Sequence, residues 1–492
     1  MEGGACTSYL PSSGMSTKVT RASSGVSPST GGITGTAVPA SMGAKSRASF
    51  AVIGSDVNDS SRRMQIPWRQ ISKQQLEGIC RALLDRESDT PIRTIDLMYN
   101  QLGPTGTAKI ASCLESSPVT EVLICYNDIG KEGCDGLAGV MNLHHRVQLL
   151  DIRGNHLSAN DVRRLLRSVS MSTVLTRLGL ASNKLGPEGA ALVAKALEQN
   201  TFLSSLDLSA NELGPSGAEC IAGILRNPVS PLQVLQLHGN YLGPTGVMTI
   251  CHAVRTNKVL KRLTLGNNHA TDEAAHAIAA MLESNYTLEE LDIRLNTLTA
   301  NGVKTIAQKG LAKNSSLSIL SLSGNEVGPV GANELTQVLT SHARSALEQL
   351  DLSSCVLTST GGARVASLLS TSASLKEINL SDNALDDEAA ARLAQNIAES
   401  VTISVVDVSC NRVSEEGASQ LIEAALRNAR LVALVTHGNN ISRVAQKKLE
   451  NLLEERLTKN RMATDHAVSY KQPRPPYQQY TALSAATSTT AA

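Results

Sequence analysis

The segment LDLSANEL, residues 206–213, decides how this chain folds, because variants of it recur along most of the sequence. Copies include IDLMYNQL at 95–102, LDIRGNHL at 150–157 and LDIRLNTL at 291–298, which share the template L-x-L-x-x-N-x-L. With Cys355 in the one remaining slot, the template asparagine stands at positions 100, 127, 155, 183, 211, 240, 268, 296, 325, 383, 411 and 439.

Successive template positions are 27 to 30 residues apart, most often 28, which makes thirteen units. Within a unit, apolar residues first alternate, as Leu206 and Leu208 do, and then recur with helical spacing. One unit cannot bury its own apolar face, so neighbouring units must stack to create a core. The pattern therefore predicts a solenoid with one short parallel strand and one helix in each unit.

This repeat resembles the leucine-rich repeat family, in particular its ribonuclease-inhibitor-like subclass, over about residues 72–459. The resemblance implies an α/β fold, a curved horseshoe of about 13 repeats of 28 residues. Parallel strands should line its concave face and helices its convex face. In this family the template asparagine bonds to backbone groups of the turn after the strand, and cysteine is a tolerated variant.

Helix starts are marked three residues past each template position, where the residue is Gly in six units and Ser, Thr or Asp in seven. All these types are favoured at a helix N-cap, and Pro follows in five units. The segment GPTGTAK, residues 103–109, could be mistaken for a phosphate-binding loop. Because LGPTG recurs at 242–246 without the lysine, and Pro104 lacks an N–H, we interpret it as a helix start.

Composition and patterning predict five regions. We expect a disordered N-terminal tail (1–60), an N-terminal capping helix region (61–90), the repeats (91–440), a C-terminal capping helix (441–459) and a disordered Pro/Tyr-containing tail (460–492). Ser72 and Gln75 form a capping box ahead of a helix at 73–85. The Ser-rich, basic leader also suggests a mitochondrial transit peptide, although it lacks an amphipathic helix.

The C-terminal tail contains KQPRPPYQQY, residues 471–480, which should be extended and partly polyproline-like. It includes one PxxP match, so we predict that it docks on another protein; the alternative is an uncommitted tail. The predicted docking residues are Pro473, Pro475, Pro476, Tyr477 and Tyr480.

The bulk composition excludes several classes of function. The formal net charge of +1 gives no long-range attraction to nucleic acid or to an anionic membrane, and no run is long and apolar enough for a membrane helix. The nine Cys are scattered without a CxxC, as expected for reduced thiols in the cytoplasm. Neither GxxxxGK[ST], GxSxG nor HExxH occurs, so we predict no catalytic residue, no cofactor, no metal site and no small-molecule substrate.

The concave face should carry the side chains six, four and two residues before each template position. These positions hold nine acids against four arginines, which favours a basic partner, although Asp is also ordinary repeat consensus. None of them is aromatic, so Arg153 and Arg294 are the expected anchors, helped by tyrosines next to the template asparagines. The candidate partner-binding residues are Arg153, Arg177, Arg262, Arg294, Asp96, Asp151, Asp207, Asp292, Tyr99, Tyr126 and Tyr241.

These features together predict a non-catalytic protein-protein interaction scaffold in a larger assembly, in the cytoplasm. The family resemblance suggests a cytoskeletal setting, such as a ciliary or flagellar axoneme. The alternative is a GTPase-activating protein resembling the Ran-specific activators, which usually carry a strongly acidic segment after the repeats. Residues 460–492 contain only one acid, Asp465, and so depart from that pattern.

Overall fold

A computed structural model of the chain describes residues 56–58, 62–66, 70–85, 91–143 and 146–464. Fifteen strands in these ranges form one sheet and follow each other in chain order. The first pair is antiparallel and all later neighbours are parallel. The strands are β1 (Asp56–Asn58), β2 (Arg63–Gln65), β3 (Thr94–Asp96), β4 (Glu121–Leu123), β5 (Leu149–Asp151), β6 (Arg177–Gly179), β7 (Ser205–Asp207), β8 (Val234–Gln236), β9 (Arg262–Thr264), β10 (Glu290–Asp292), β11 (Ile319–Ser321), β12 (Gln349–Asp351), β13 (Glu377–Asn379), β14 (Val405–Asp407) and β15 (Ala433–Val435).

A helix follows each strand from β3 onward, and one helix precedes β3. The helices are α1 (Lys73–Leu84), α2 (Gly103–Leu114), α3 (Gly130–Leu143), α4 (Ala159–Met171), α5 (Gly186–Leu197), α6 (Gly214–Arg226), α7 (Gly243–Thr256), α8 (Asp272–Ser284), α9 (Ala300–Thr305), α10 (Gly328–Ser341), α11 (Thr358–Thr371), α12 (Asp387–Glu399), α13 (Glu415–Arg427) and α14 (Arg443–Thr464). A π-helical segment, Ile306–Leu311, continues α9.

Equivalent residues of successive units lie side by side in the sheet. Leu206 of β7 is the register partner of Leu178 in β6 and of Leu235 in β8. Each helix likewise packs on the helix of the neighbouring unit. Strands in a sheet are about 4.8 Å apart, whereas packed helices are about 8–10 Å apart. Because each unit supplies one of each, the sheet curves with its strands on the concave side, which confirms the predicted leucine-rich repeat solenoid.

The hydrophobic core lies between the sheet and the layer of helices. In the unit of β8 and α7, the template residues Leu235, Leu237 and Leu242 are fully buried. Ile250 and Val254 of α7 are buried as completely, because they share one helical face. The same pattern in every unit produces one continuous aliphatic core.

The template asparagines form a buried hydrogen-bonded ladder. The Asn127 Nδ2 group donates to the carbonyl oxygens of Leu97 (2.8 Å) and Cys125 (2.9 Å). Its Oδ1 accepts from the backbone N–H groups of Asn100 (3.0 Å) and Leu102 (3.2 Å). Each asparagine therefore joins its own turn to that of the preceding unit, as the family resemblance implied.

Cys355 is the one template position without an amide. Its thiol donates to the Leu322 carbonyl (3.3 Å), and the Asn325 backbone bonds to its sulfur, which is a weak acceptor. We expect Cys355→Asn to raise the free energy of unfolding by about 1 kcal/mol, because the amide replaces weak sulfur bonds in a frame that other units already use. Urea unfolding, with Cys355→Ala as control, measures this; equal stability of the two variants contradicts the prediction.

The helix starts differ from the prediction in the units that have glycine. Gly103 and Gly243 both have a φ of 64°, in the left-handed region, and are the first residues of α2 and α7. Glycine suits these positions because it adopts a positive φ without strain. It is not the N-cap residue, which is Leu102 in α2 and Leu242 in α7. The prediction is confirmed at Thr271, whose hydroxyl accepts from the Glu273 N–H (3.3 Å), and at Asp386, which caps α12. It is wrong at Thr358, which has a φ of 56° and is itself the first residue of α11.

A second polar ladder, which the sequence reading missed, lies where the helices end. The Asn285 Nδ2 group donates to the carbonyls of Val254 (2.7 Å) and Asn257 (2.9 Å), and its Oδ1 accepts from the Leu288 N–H (2.8 Å). The detectable signal was the spacing N-x-x-L ahead of the strands. It recurs at Asn200, Asn257, Asn285, Asn314 and Asn428.

Both ends of the repeats carry a helix. The predicted capping box is present, since Ser72 and Gln75 exchange hydrogen bonds between side chain and backbone before α1. α14 runs on to Thr464, beyond residue 459, where the predicted C-terminal capping helix ends. The predicted N-terminal tail, residues 1–60, includes one strand, β1, which pairs antiparallel with β2 and has Asp56 opposite Gln65.

Candidate functional site

The inner face of the sheet consists of the first and third residues of each strand and the residue two positions later, as predicted. Most of the candidate residues lie there in two groups. We call the group on β3–β7 the N-terminal patch: Asp96, Glu121, Asp151, Arg153, Arg177, Gly179 and Asp207. We call the depression across β10–β14 the C-terminal groove, which holds Asp292 and Arg294. Arg262, on β9, is exposed beside it.

Ion pairs between units hold the arginines of the N-terminal patch in place. Arg153 contacts Asp151 on its own strand (2.7 Å) and Asp207 two strands away (3.8 Å). Arg177 bonds to Glu121, 56 residues earlier, at 2.6 Å. Burial raises the pKa of Asp207, while the Arg153 charge opposes that rise. The predicted anchor Arg153 is thus pre-oriented but already neutralised by two acids of this chain.

Tyr99 and Tyr126 stack on each other at the edge of the sheet where the strands end. The rings of Tyr99 and Tyr126 are parallel, with centroids 4.4 Å apart. The Tyr126 ring also lies so close to Gly154 that a Cβ there would be 2.3 Å from it. Burial, and then the neighbouring Tyr126, raise the pKa of Tyr99 to about 12. Both rings remain partly exposed, as an interface anchor must be.

Tyr241 belongs to a separate cluster farther along that edge. Its ring stacks on His269 with centroids 5.6 Å apart. Leu295 follows one unit later, is 52% exposed, and rests against the space left by Gly324. The structure therefore brings Tyr99 and Tyr126 together, whereas Tyr241 stacks on His269 instead.

The C-terminal groove has a volume of about 360 Å³. The backbone of Leu291, Leu320, Leu350 and Ile378 forms its floor, because the side chains of these residues are buried in the core on the other side of the sheet. Ile319 and Val405 add half-buried apolar side chains. The third residue of successive strands alternates between acidic and neutral. This row reads Asp292, Ser321, Asp351, Asn379 and Asp407 on β10 to β14.

The charge of the C-terminal groove is strongly negative. Two more acids, Glu290 and Glu377, stand at the first positions of β10 and β13. Arg294 is the single base lining it, and its guanidinium is 2.6 Å from Asp292. Burial raises the pKa of Glu290, and burial together with Glu348 raises the pKa of Glu377. With five acids and one arginine among its lining residues, and Arg262 near Glu290, the groove carries an excess of acidic side chains.

Glu377→Gln should stabilise the fold at pH 7 but not at pH 4. Because the folded-state pKa of Glu377 is raised, ionising this carboxyl in the folded protein costs free energy, and that cost disappears as the pH falls through the raised pKa. We expect a gain of about 0.5 kcal/mol or less in the free energy of unfolding at pH 7. Urea unfolding at both pH values measures it.

Glu283→Gln is the matched control for that prediction. The hydrogen bond and charge of Lys313 lower the pKa of Glu283, so its contribution to stability is present at pH 7 and is lost as the pH falls. The control variant should therefore lose stability at pH 7. A loss for both variants would contradict the prediction for Glu377.

The acids of the groove could be predicted from the sequence, but their arrangement could not. The alternation of Asp with neutral residues emerges only when the units are placed side by side. The predicted tail residues Pro473, Pro475, Pro476, Tyr477 and Tyr480 lie outside the described residues. Over the described ranges, no group of three or more His, Cys, Asp or Glu has a metal-binding arrangement. No helix in the same ranges is long and apolar enough to cross a bilayer.

The repeats match the family described as Leucine Rich repeat at six places. The matched residues are 88–111, 172–194, 199–222, 284–307, 313–335 and 371–394. The ribonuclease inhibitor of Sus scrofa is 28% identical over 302 residues, which are 61% of this chain and 59% of that protein. The chain thus spans about three fifths of that relative's length.

Two further relatives are larger proteins that match this chain over about a quarter or less of their own length. Protein CARMIL of Dictyostelium discoideum is 27% identical over 258 residues, which are 50% of this chain and 24% of that protein. RAN GTPase-activating protein 2 of Arabidopsis thaliana is 26% identical over 115 residues, covering 23% of this chain and 21% of that protein.

The chain is a leucine-rich repeat protein, a class built to present an extended surface to other proteins. Its repeat length, its outer layer of helices and its similarity to ribonuclease inhibitors place it in the ribonuclease-inhibitor-like subclass.

Proposed function

We propose that the chain is a non-catalytic scaffold whose inner sheet face binds a basic region of a partner protein. The observation that carries this proposal is the C-terminal groove, where five acids surround one arginine that is already paired. Complementary charge steers association and selects partners, while the half-buried side chains of Ile319 and Val405 supply apolar area that can be desolvated.

The N-terminal patch supports the same proposal by different chemistry. Tyr and Arg are the residue types most enriched at the energetic centres of interfaces, and Tyr99, Tyr126 and Arg153 lie within neighbouring units. Their mutual contacts hold the side chains before binding, which reduces the entropy cost of association. A partner long enough to cross several units would contact both the patch and the groove.

Proximity labelling in cells tests the inner face against the outer face. The inner-face variant carries Glu290→Arg and Glu377→Arg; the matched outer-face variant carries Glu219→Arg and Glu423→Arg on α6 and α13. We expect the inner-face variant to lose the main labelled partners and the outer-face variant to keep them, with both folded by circular dichroism. Equal partner sets for the two variants would overturn the proposal.

A GTPase-activating protein is the alternative function, and the local similarity to a RAN GTPase-activating protein supports it. A GTP hydrolysis assay with purified Ran and other small GTPases separates the two proposals. The scaffold proposal expects the purified chain to leave hydrolysis rates unchanged. Acceleration of hydrolysis by the chain would refute its non-catalytic part.

The finer proposal is that the scaffold belongs to a cytoskeletal assembly, in particular a ciliary or flagellar axoneme. The family resemblance supports this proposal. Detergent extraction of ciliated cells that express the tagged chain tests it, because an axonemal component stays with the insoluble microtubules. Complete release into the detergent-soluble fraction would contradict it.

A further inference from the structure

The C-terminal helix packs against α13 and β15, and β15 is next to the last strand of the groove. The Arg456 guanidinium of α14 donates to the carbonyls of Asn428 (2.7 Å), Leu431 (3.2 Å) and Leu426 (3.2 Å). Leu426 lies in the last turn of α13, and Asn428 and Leu431 lie in the connection to β15, at the edge where the strands begin. α14 continues for eight residues to Thr464, which is about 12 Å of helix. The chain therefore leaves α14 at the strand-beginning edge, next to β15.

The groove begins at the strand next to β15, because β14 is the neighbour of β15 in the sheet. Its acids are first or third residues of β10, β12, β13 and β14. From β15, the sheet spacing places β14 about 5 Å, β12 about 14 Å and β10 about 24 Å away. Seven extended residues span roughly 23 Å, which exceeds the sheet distances to β14 and β12, so a segment that starts at residue 465 can bring Lys471 over β14.

The spacing of charges in the following segment matches the spacing of the acids. A polyproline II helix has three residues per turn and rises about 3.1 Å per residue, so Lys471 and Arg474 lie on one face about 9 Å apart. Asp351 on β12 and Asp407 on β14 are two strand spacings apart, also about 9–10 Å. One turn further on, Tyr477 would be above β10, where Arg294 is partly exposed.

We propose that residues 471–480 of this chain occupy the C-terminal groove as a polyproline II helix that crosses the strands from β14 to β10. Lys471 pairs with Asp407, Arg474 pairs with Asp351, and the Tyr477 ring covers the Arg294 guanidinium. Prolines suit this arrangement because the segment contacts side chains and needs no backbone N–H. A partner for the groove must displace this segment, whether or not the partner binds as proposed above.

Zero-length carbodiimide crosslinking of the full chain at low salt tests the register. It joins a lysine amine to a carboxylate in contact with it, and the pair Lys376–Glu348, at 2.7 Å, is an internal positive control. We expect Lys471 to be joined to Asp407 within one chain, and the product to be lost in 1 M salt. Joining of Lys471 only to carboxylates outside the groove would overturn the proposal, as would products found only between two chains.

A competition experiment tests occupancy without crosslinking. The probe is a fluorescent peptide of residues 471–480, added to the full chain and to the full-length variant Lys471→Glu/Arg474→Glu. An attached segment has an effective concentration in the millimolar range, so we expect the tail variant to bind the probe at least 10-fold more tightly. Equal affinity of the wild-type chain and the tail variant would show that the groove is not occupied.

The groove itself is tested by Asp351→Asn/Asp407→Asn, added to the tail variant. Asn is compatible with this position, because Asn379 already accepts the Ser381 N–H (3.0 Å) as Asp407 accepts that of Ser409 (2.8 Å). We expect these changes to weaken probe binding at least 10-fold. The matched control is Glu219→Gln on α6, which should leave probe binding unchanged. Equal binding by groove and control variants would exclude the groove as the site.

Discussion

Replacing Asn268 with Ala should lower the free energy of unfolding by about 3–4 kcal/mol, the largest effect that we expect from a single substitution. The Asn268 side chain is fully buried. Its Nδ2 group donates to the carbonyls of Leu237 (2.9 Å) and Leu265 (3.0 Å), and its Oδ1 accepts from the Asn240 N–H (2.9 Å). Ala would leave these backbone groups buried without partners, each at a cost of about 1–3 kcal/mol.

Urea unfolding followed by circular dichroism measures this loss. The control is Asn301→Ala, an exposed asparagine of α9, which should change stability by about 0.5 kcal/mol or less. In a repeat protein each unit is stabilised by its neighbours, so the loss of one asparagine in the middle of the ladder weakens the interfaces with both neighbouring units. Equal stability of the two variants would show that the ladder is not a major source of stability.

The substitution Gly246→Ala should destabilise the protein, whereas Gly223→Ala should stabilise it. A Cβ at Gly246 would lie 2.9 Å from the Leu242 Cβ and 3.2 Å from the Ala218 Cβ of the preceding helix. Such overpacking costs about 1–3 kcal/mol. A Cβ at Gly223 would have no heavy atom within 4 Å, so there the higher helix propensity of Ala should contribute about 1 kcal/mol.

The two glycines are a matched pair, because both lie in helices and both change to the same residue. Thermal unfolding of the two variants should shift the midpoint in opposite directions from that of the wild-type chain. If both variants were stabilised, the helices would have room to move apart at α6 and α7. The close approach of successive helix starts would then not restrict the repeat.

Much of the architecture could be predicted from the sequence because it depends on local patterns that recur. The alternation of Leu206 and Leu208 predicts a strand with one buried face, and thirteen repetitions require stacking. The π-helical segment Ile306–Leu311 could not be predicted in the same way. Its unit is 29 residues long, and the sequence does not show whether the additional residue enters a loop or a helix.

The inner face was predicted residue by residue but not as a set of contacts. Asp151, Asp207 and Arg153 were all assigned to it from their positions before the template asparagine. That Arg153 joins the two acids depends on side-chain conformations that the positions do not specify. The stacking of Tyr99 on Tyr126 likewise requires the exact rise from one unit to the next.

The sequence by itself determined the class of fold, the number of units and the faces on which residues lie, because hydrophobic burial and helix or strand period are properties of short segments. Only the tertiary structure decided which charges neutralise each other and which remain for a partner. Arg177 and Glu121 are 56 positions apart in the sequence but only two strands apart in the sheet, and for that reason their side chains meet. The C-terminal groove exists for the same reason, since its five acids come from four different units that only stacking brings side by side.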